Sequence, residues 1–123
     1  MTDKQKTGEI GEALAATHLA RLGLEIVARS YRYKRVEVDL IAKRADGCLI
    51  FVEVKTRRGL QWGHPSAAVS ITKERNIAKA ASAYMREVNH DWEVRFDIVA
   101  ILLYKDGTHT LEHLVDAFFP GMF

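Results

Sequence analysis

The 123-residue chain carries 18 Lys+Arg against 16 Asp+Glu, one cysteine, two prolines and 48% hydrophobic residues, a length that suits one domain over 1–123 and excludes two independently folding ones. The lone Cys48 excludes an internal disulfide framework and a multi-cysteine zinc site. The longest apolar run, Ile98 to Tyr104, falls far short of the ~18 residues needed to span a bilayer, and the opening MTDKQKTGEIGE has no apolar stretch, so a cytoplasmic protein without membrane association is expected.

Thr7 to Leu22 is predicted as a helix, with acids in its early turns and Gly23 as a stop. At 100° per residue, Glu12 falls beside Ala15, Ala16 and Leu19, on an apolar face rather than opposite it. Leu24 to Tyr33 reads as a strand. Its end, ARSYRYKR, sets Arg29, Arg32, Lys34 and Arg35 around Tyr31 and Tyr33 with no acid. A net charge of +2 diagnoses no partner, but its distribution is uneven: residues 1–61 hold 12 basic and 8 acidic side chains, residues 62–123 hold 6 and 8. Basic groups with interleaved aromatics suit a phosphate backbone. A solvated strand edge, kept from unwanted pairing by Lys and Arg, is the equal alternative.

Val36 to Lys43 and Cys48 to Thr56 read as two strands joined by Ala45-Asp46-Gly47. Residues 57–71 form a loop with Gly59, Gly63 and Pro65. Thr72 caps a second helix to about Val88, packing through Ile77, Ala80, Ala81 and Tyr84. Val94 to Tyr104 is an apolar strand expected at the centre of the sheet, and Asp106-Gly107 turns it into a last strand from Thr110 to Ala117. The order α-β-β-β-α-β-β predicts an α/β fold, a mixed sheet covered by helices.

The second and third strands concentrate the carboxylates. Strict alternation sets Val36, Val38, Leu40 and Ala42 on one face, with Glu37, Asp39 and Ile41 on the other. It likewise sets Cys48, Ile50, Val52 and Val54 opposite Leu49, Phe51, Glu53 and Lys55. A three-residue turn with Gly47 left-handed puts Arg44 opposite Cys48 and Leu40 opposite Val52, whence Asp39 faces Glu53 and Glu37 faces Lys55. Facing carboxylates destabilise a bare sheet, and a divalent cation between them removes the repulsion. Mg²⁺ or Mn²⁺ takes oxygen ligands and leaves positions for water and phosphate, while Lys55 can orient or help deprotonate water. Asp39, Glu53 and Lys55 thus suit metal-assisted phosphodiester hydrolysis. A lone E-x-K is weak, and Glu37 with Lys55 could be a plain cross-strand ion pair. The combination with Asp39, an inward Glu12 and flanking cations is harder to dismiss.

The runs GEIGEALAATHLARLGLEIVARSYRY, VEVDLIAK and LIFVEVKTR resemble the YraN family of small bacterial proteins. More distantly they resemble archaeal Holliday-junction resolvases and the PD-(D/E)XK nuclease superfamily. The resemblance continues through ITKERNIAKAASAYM and VRFDIVAI, nearly the whole chain. It implies a restriction-endonuclease-like mixed sheet flanked by helices. It further implies Asp39 as the motif aspartate, Glu53 as the second acid, Lys55 as the lysine and Glu12 as the first-helix acid, with Asp39, Glu53 and Glu12 as metal ligands. Arg57 continues E-V-K-T-R and is placed to meet a phosphate. Val36 stands where YraN-like sequences usually have glycine, and altered packing is the expected consequence.

Elsewhere the signals are weaker. His109 and His113 make no convincing metal cluster, and His64-Pro65 could contact substrate but suits a plain turn better. Lys73, Arg75 and Lys79 could approach a phosphate or simply face solvent, and Arg95 with Asp97 suits a structural ion pair at least as well as a site role. The tail DAFFPGMF, with Phe118, Phe119, Met122 and Phe123, either folds back or forms an interface, and a homodimer is expected. The leading expectation is a Mg²⁺- or Mn²⁺-dependent endonuclease acting on DNA, with branched DNA among its candidate substrates and Arg57, Arg32, Lys34, Arg35 and Lys73 holding it. The alternatives are a nucleic-acid-binding module with a vestigial site, and an interaction protein whose acidic pocket is unused.

Overall fold

The computed structural model describes residues 2–59 and 69–120. Its elements run α1 (Asp3–Arg21), β1 (Glu25–Tyr33), β2 (Val36–Lys43), β3 (Leu49–Arg58), α2 (Ile71–Glu87), β4 (Val94–Leu103) and β5 (His109–Leu114). The strands form one sheet in sequence order, antiparallel except where β3 lies parallel to β4. This is the α/β fold expected from the sequence, with the α-β-β-β-α-β-β order of a restriction-endonuclease-like arrangement. β4 is buried along nearly its whole length, yet β3, not β4, is the middle strand.

Both helices begin earlier than the sequence suggests, for local hydrogen-bonding reasons. The Thr2 hydroxyl accepts the Gln5 N–H while the Gln5 side chain accepts the Thr2 N–H, so α1 starts at Asp3. Ser70, not Thr72, caps α2 by accepting the Lys73 N–H. The loop's His64 and Pro65, and Met122 and Phe123 of the tail, lie outside the described residues. Phe118 does fold back, with its ring 5.3 Å from that of Phe96, while Phe119 is exposed.

The helices cover opposite faces. On the α1 side, Ala15, Ala16 and Leu19 pack on Leu40, Ala42, Ile50, Val52, Val99 and Ile101. On the α2 side, Ile77, Ala80 and Ala81 pack on Val38, Ile41, Phe51 and Phe96. Gly11 lets α1 approach β3, since a Cβ there would overlap the Thr56 side chain. That close approach delivers Glu12 to the sheet.

The turn fixes the hairpin as expected. Arg44 donates its N–H to Cys48 at 2.9 Å, Gly47 is left-handed at φ 99°, and Leu40 pairs with Val52. Cys48, Ile50, Val52 and Val54 share the α1 face, also as expected. The expectation for β2 fails: Val38 joins the α2-side core while Leu40 and Ala42 join the α1-side core. Alternation therefore slips at Asp39. Ser30, at the corresponding place between the Arg29–Leu40 and Tyr31–Val38 pairs, has φ 48°, so the same slip runs through β1. β2–β3 pairing ends at Leu40–Val52, just before the acids.

Candidate metal centre and its surroundings

Where β2 parts from β3, Asp39 turns its carboxylate to the freed backbone and accepts the Val54 N–H at 2.8 Å. It stands between two grooves. One, of about 580 Å³, is lined by Glu12, Thr7, Val54, Thr56, Arg57 and Arg58 among others. The second, of about 370 Å³, includes Glu37, Glu53, Arg35, Lys73 and Asn76. Asp39 lines both.

Glu12, Glu37 and Asp39 bring carboxylate oxygens within 4.8 Å of one another. Burial, reinforced by the negative charge of Glu53, pushes the Asp39 carboxyl up to about 8, against the stabilising N–H of Val54. Asp39 and Glu12 are hydrogen-bonded to each other, a contact between two carboxyl groups that needs a proton between them. Burial still leaves Glu12 raised, helped by the charges of Glu37 and Glu9. A hard divalent cation would replace that proton with a stronger neutralising charge, and three carboxylates suit Mg²⁺ or Mn²⁺ rather than a softer metal.

Glu53 occupies a different place. Only 7% exposed, it meets the Lys73 ammonium from α2 at 2.6 Å and lies outside the group of three, while its charge still reaches Asp39. Glu37 turns to Arg32 at 3.1 Å instead of making the cross-strand pair expected with Lys55, because the ladder that would align them has already ended. Lys55 has its ammonium pushed down by burial and by the cations of Arg57 and Lys73, against the pull of Glu53. A lysine so placed gives up its proton more readily than one in water.

The candidate substrate-binding residues divide. Arg57 lines the groove with Glu12 and Asp39, and Arg35 lines the one with Glu37 and Glu53. Lys34 lies over the Tyr33 ring at 5.3 Å, Arg32 is engaged with Glu37, and Lys73 with Glu53. Glu37 is the candidate ligand that sequence reasoning missed, having been assigned to Lys55. Its signal was its place two residues before Asp39 in one strand.

A second polar cluster centres on Asp97 of β4. Asp97, fully buried, accepts two hydrogen bonds from Arg95 at 2.9 Å, one from His113 at 2.8 Å and the Asp116 N–H at 2.9 Å. Burial pushes its carboxyl up, but these donors outweigh it and hold Asp97 below the ordinary carboxylate value. His113 also meets His18 at 3.1 Å. The cluster is the structural ion pair expected of Arg95 and Asp97, enlarged by a satisfied histidine.

The family model described as "Uncharacterised protein family UPF0102" matches residues 11–101. A UPF0102 protein of Pelobacter propionicus is 45% identical over 119 residues, spanning 94% of this chain and 84% of the relative. One from Rhodococcus opacus is 47% identical over 112 residues, spanning 90% of this chain and 94% of the relative. One from Chlorobium phaeobacteroides is 43% identical over 123 residues, with 95% and 96% covered. A match over most of the domain, with relatives of nearly the same length, places the chain in the uncharacterised protein family UPF0102, the YraN family to which its motifs pointed.

Proposed function

We propose that this protein is a metal-dependent endonuclease that hydrolyses phosphodiester bonds in DNA. The observation that carries the reading is Asp39, half-buried in the parting of β2 and β3 with the carboxylates of Glu12 and Glu37 beside it. Such a group is costly without a cation and fits one well. The resemblance of V-E-V-D…V-E-V-K-T-R to the PD-(D/E)XK pattern, and the restriction-endonuclease-like order of the elements, support the same reading.

In this reading Glu12, Glu37 and Asp39 hold Mg²⁺ or Mn²⁺, and Glu53 is a further ligand once Lys73 turns to the substrate. The bound cation supplies positive charge to the attacked phosphate and makes water more acidic. Lys55 accepts a proton from the attacking water or steadies the charge growing on the phosphate. Arg57 and Arg35, one on each side of Asp39, hold the non-bridging oxygens. A homodimer serving two strands belongs to the same proposal, and light scattering reads it directly.

The test is a cleavage panel of single-stranded, duplex, flap and four-way-junction DNA with Mg²⁺ or Mn²⁺. Metal-dependent cutting of any of these supports the reading. No cutting, with DNA binding intact, leaves a binding module, and neither activity leaves an interaction protein.

A further inference from the structure

The groove next to the acids continues away from them. A neighbouring groove of about 670 Å³, between the β1–β2 turn and α2, contains Lys34, Arg35, Lys79 and Arg86 and, among the described residues, no acidic side chain. It shares Arg35, Val36 and Asn76 with the groove that holds Asp39 and Glu53, so the two run into each other. Along α2, Asn76, Lys79, Ser82 and Arg86 follow at helical spacings of three and four as one stripe lining this groove, while Lys73, about a third of a turn round the helix from Lys79, sits by Glu53 in the other. At 1.5 Å per residue the stripe from Asn76 to Arg86 is about 15 Å long, the axial rise of about four nucleotides in one strand of a duplex. The acid nearest its far end, Glu87, is taken by the Tyr31 hydroxyl at 2.6 Å.

We infer that this stripe is the track for the phosphate backbone of a nucleic-acid strand leaving the Asp39–Glu53 site. Arg35 and Asn76 receive it at the junction of the grooves, and Lys79 and Arg86 hold it further along α2. The inference rests on the nuclease reading for its substrate class. Evenly spaced cations alternating with the short polar side chains of Asn76 and Ser82 match a repeating phosphodiester better than they match one small anion. The consequence is a requirement for several nucleotides on one side of the attacked bond.

The test measures binding of a short labelled DNA duplex to the full chain in EDTA over a series of salt concentrations. The double variant Lys79→Gln/Arg86→Gln is compared with wild type and with Lys105→Gln in the β4–β5 turn, and melting curves check that each is folded. The expected result is weaker binding by the double variant, with a salt slope shallower by about two units, and no change for Lys105→Gln. An unchanged slope in the double variant overturns the track, as does a wild type that binds no DNA. Polyglutamate competing as well as DNA of equal charge would overturn the nucleic-acid assignment. A parallel Mn²⁺ cleavage assay separates the two claims: cutting without a stripe effect removes only the track. A stripe effect without cutting removes the hydrolase and leaves the track as a binding surface.

Discussion

Asp39 accepts the backbone N–H of Val54 at the point where their two strands stop pairing, so a side chain continues what the ladder no longer provides. This contact holds a half-buried carboxylate beside Glu12 and Glu37 and gives the metal-free protein a built-in electrostatic penalty.

That penalty has a sign. Burial and the Glu53 charge raise Asp39 from 3.8 to about 8, so between those values the folded chain holds a proton that the unfolded chain releases. Its contribution to stability is fully present below about pH 4 and is lost as pH rises through about 8. Asp39→Asn removes this slope and leaves the metal-free protein more stable than wild type at pH 8, read by urea melts in EDTA across pH.

Metal reverses the comparison. At about a hundred times its Kd, Mn²⁺ adds about 2.7 kcal/mol to wild type, about 10 °C in Tm. Asp39→Asn loses most of that shift, and Glu37→Gln loses part of it. A full shift retained in Asp39→Asn would place the cation elsewhere.

Lys55→Ala separates binding from chemistry. The variant keeps its Mn²⁺ shift, and cleavage falls by about 10²–10⁴-fold, the range of a lost proton-transfer group. Equal rates for wild type and variant in single-turnover assays would remove Lys55 from the mechanism.

Asp97 carries the opposite pH sign from Asp39. Its net lowered carboxyl gives stability that is present above the unfolded value of 3.8 and lost as pH falls through its folded value. Asp97→Ala strands Arg95 and His113 and costs about 3–5 kcal/mol in urea melts, with no specific effect on the Mn²⁺ shift. A loss under 1 kcal/mol would show the cluster to be dispensable.

Much of this was legible in the sequence for identifiable reasons. Turn chemistry at Ala45-Asp46-Gly47 fixed the register as far as Leu40–Val52, and the small face of α1 put Glu12 toward the sheet. Beyond Leu40 the same counting failed, because alternation assumes an unbroken ladder. The slip at Ser30 and Asp39 involves a serine in the left-handed region, where no glycine announces it. Glu37 was thereby assigned the wrong neighbour. The Lys73–Glu53 pair crosses from β3 to α2 and the Asp97–His113–His18 chain from β4 through β5 to α1, and no spacing within one element encodes them.

The central claim is that the acids at the β2–β3 parting make a metal-dependent phosphodiesterase. A cleavage time course tests it most directly, with wild type, Asp39→Asn and Lys55→Ala purified in parallel and given duplex and four-way-junction DNA in Mn²⁺ or EDTA. The account predicts cutting by wild type in Mn²⁺ alone and its loss in both variants. Equal cutting by all three, or no cutting by a wild type that Mn²⁺ also fails to stabilise, would contradict it.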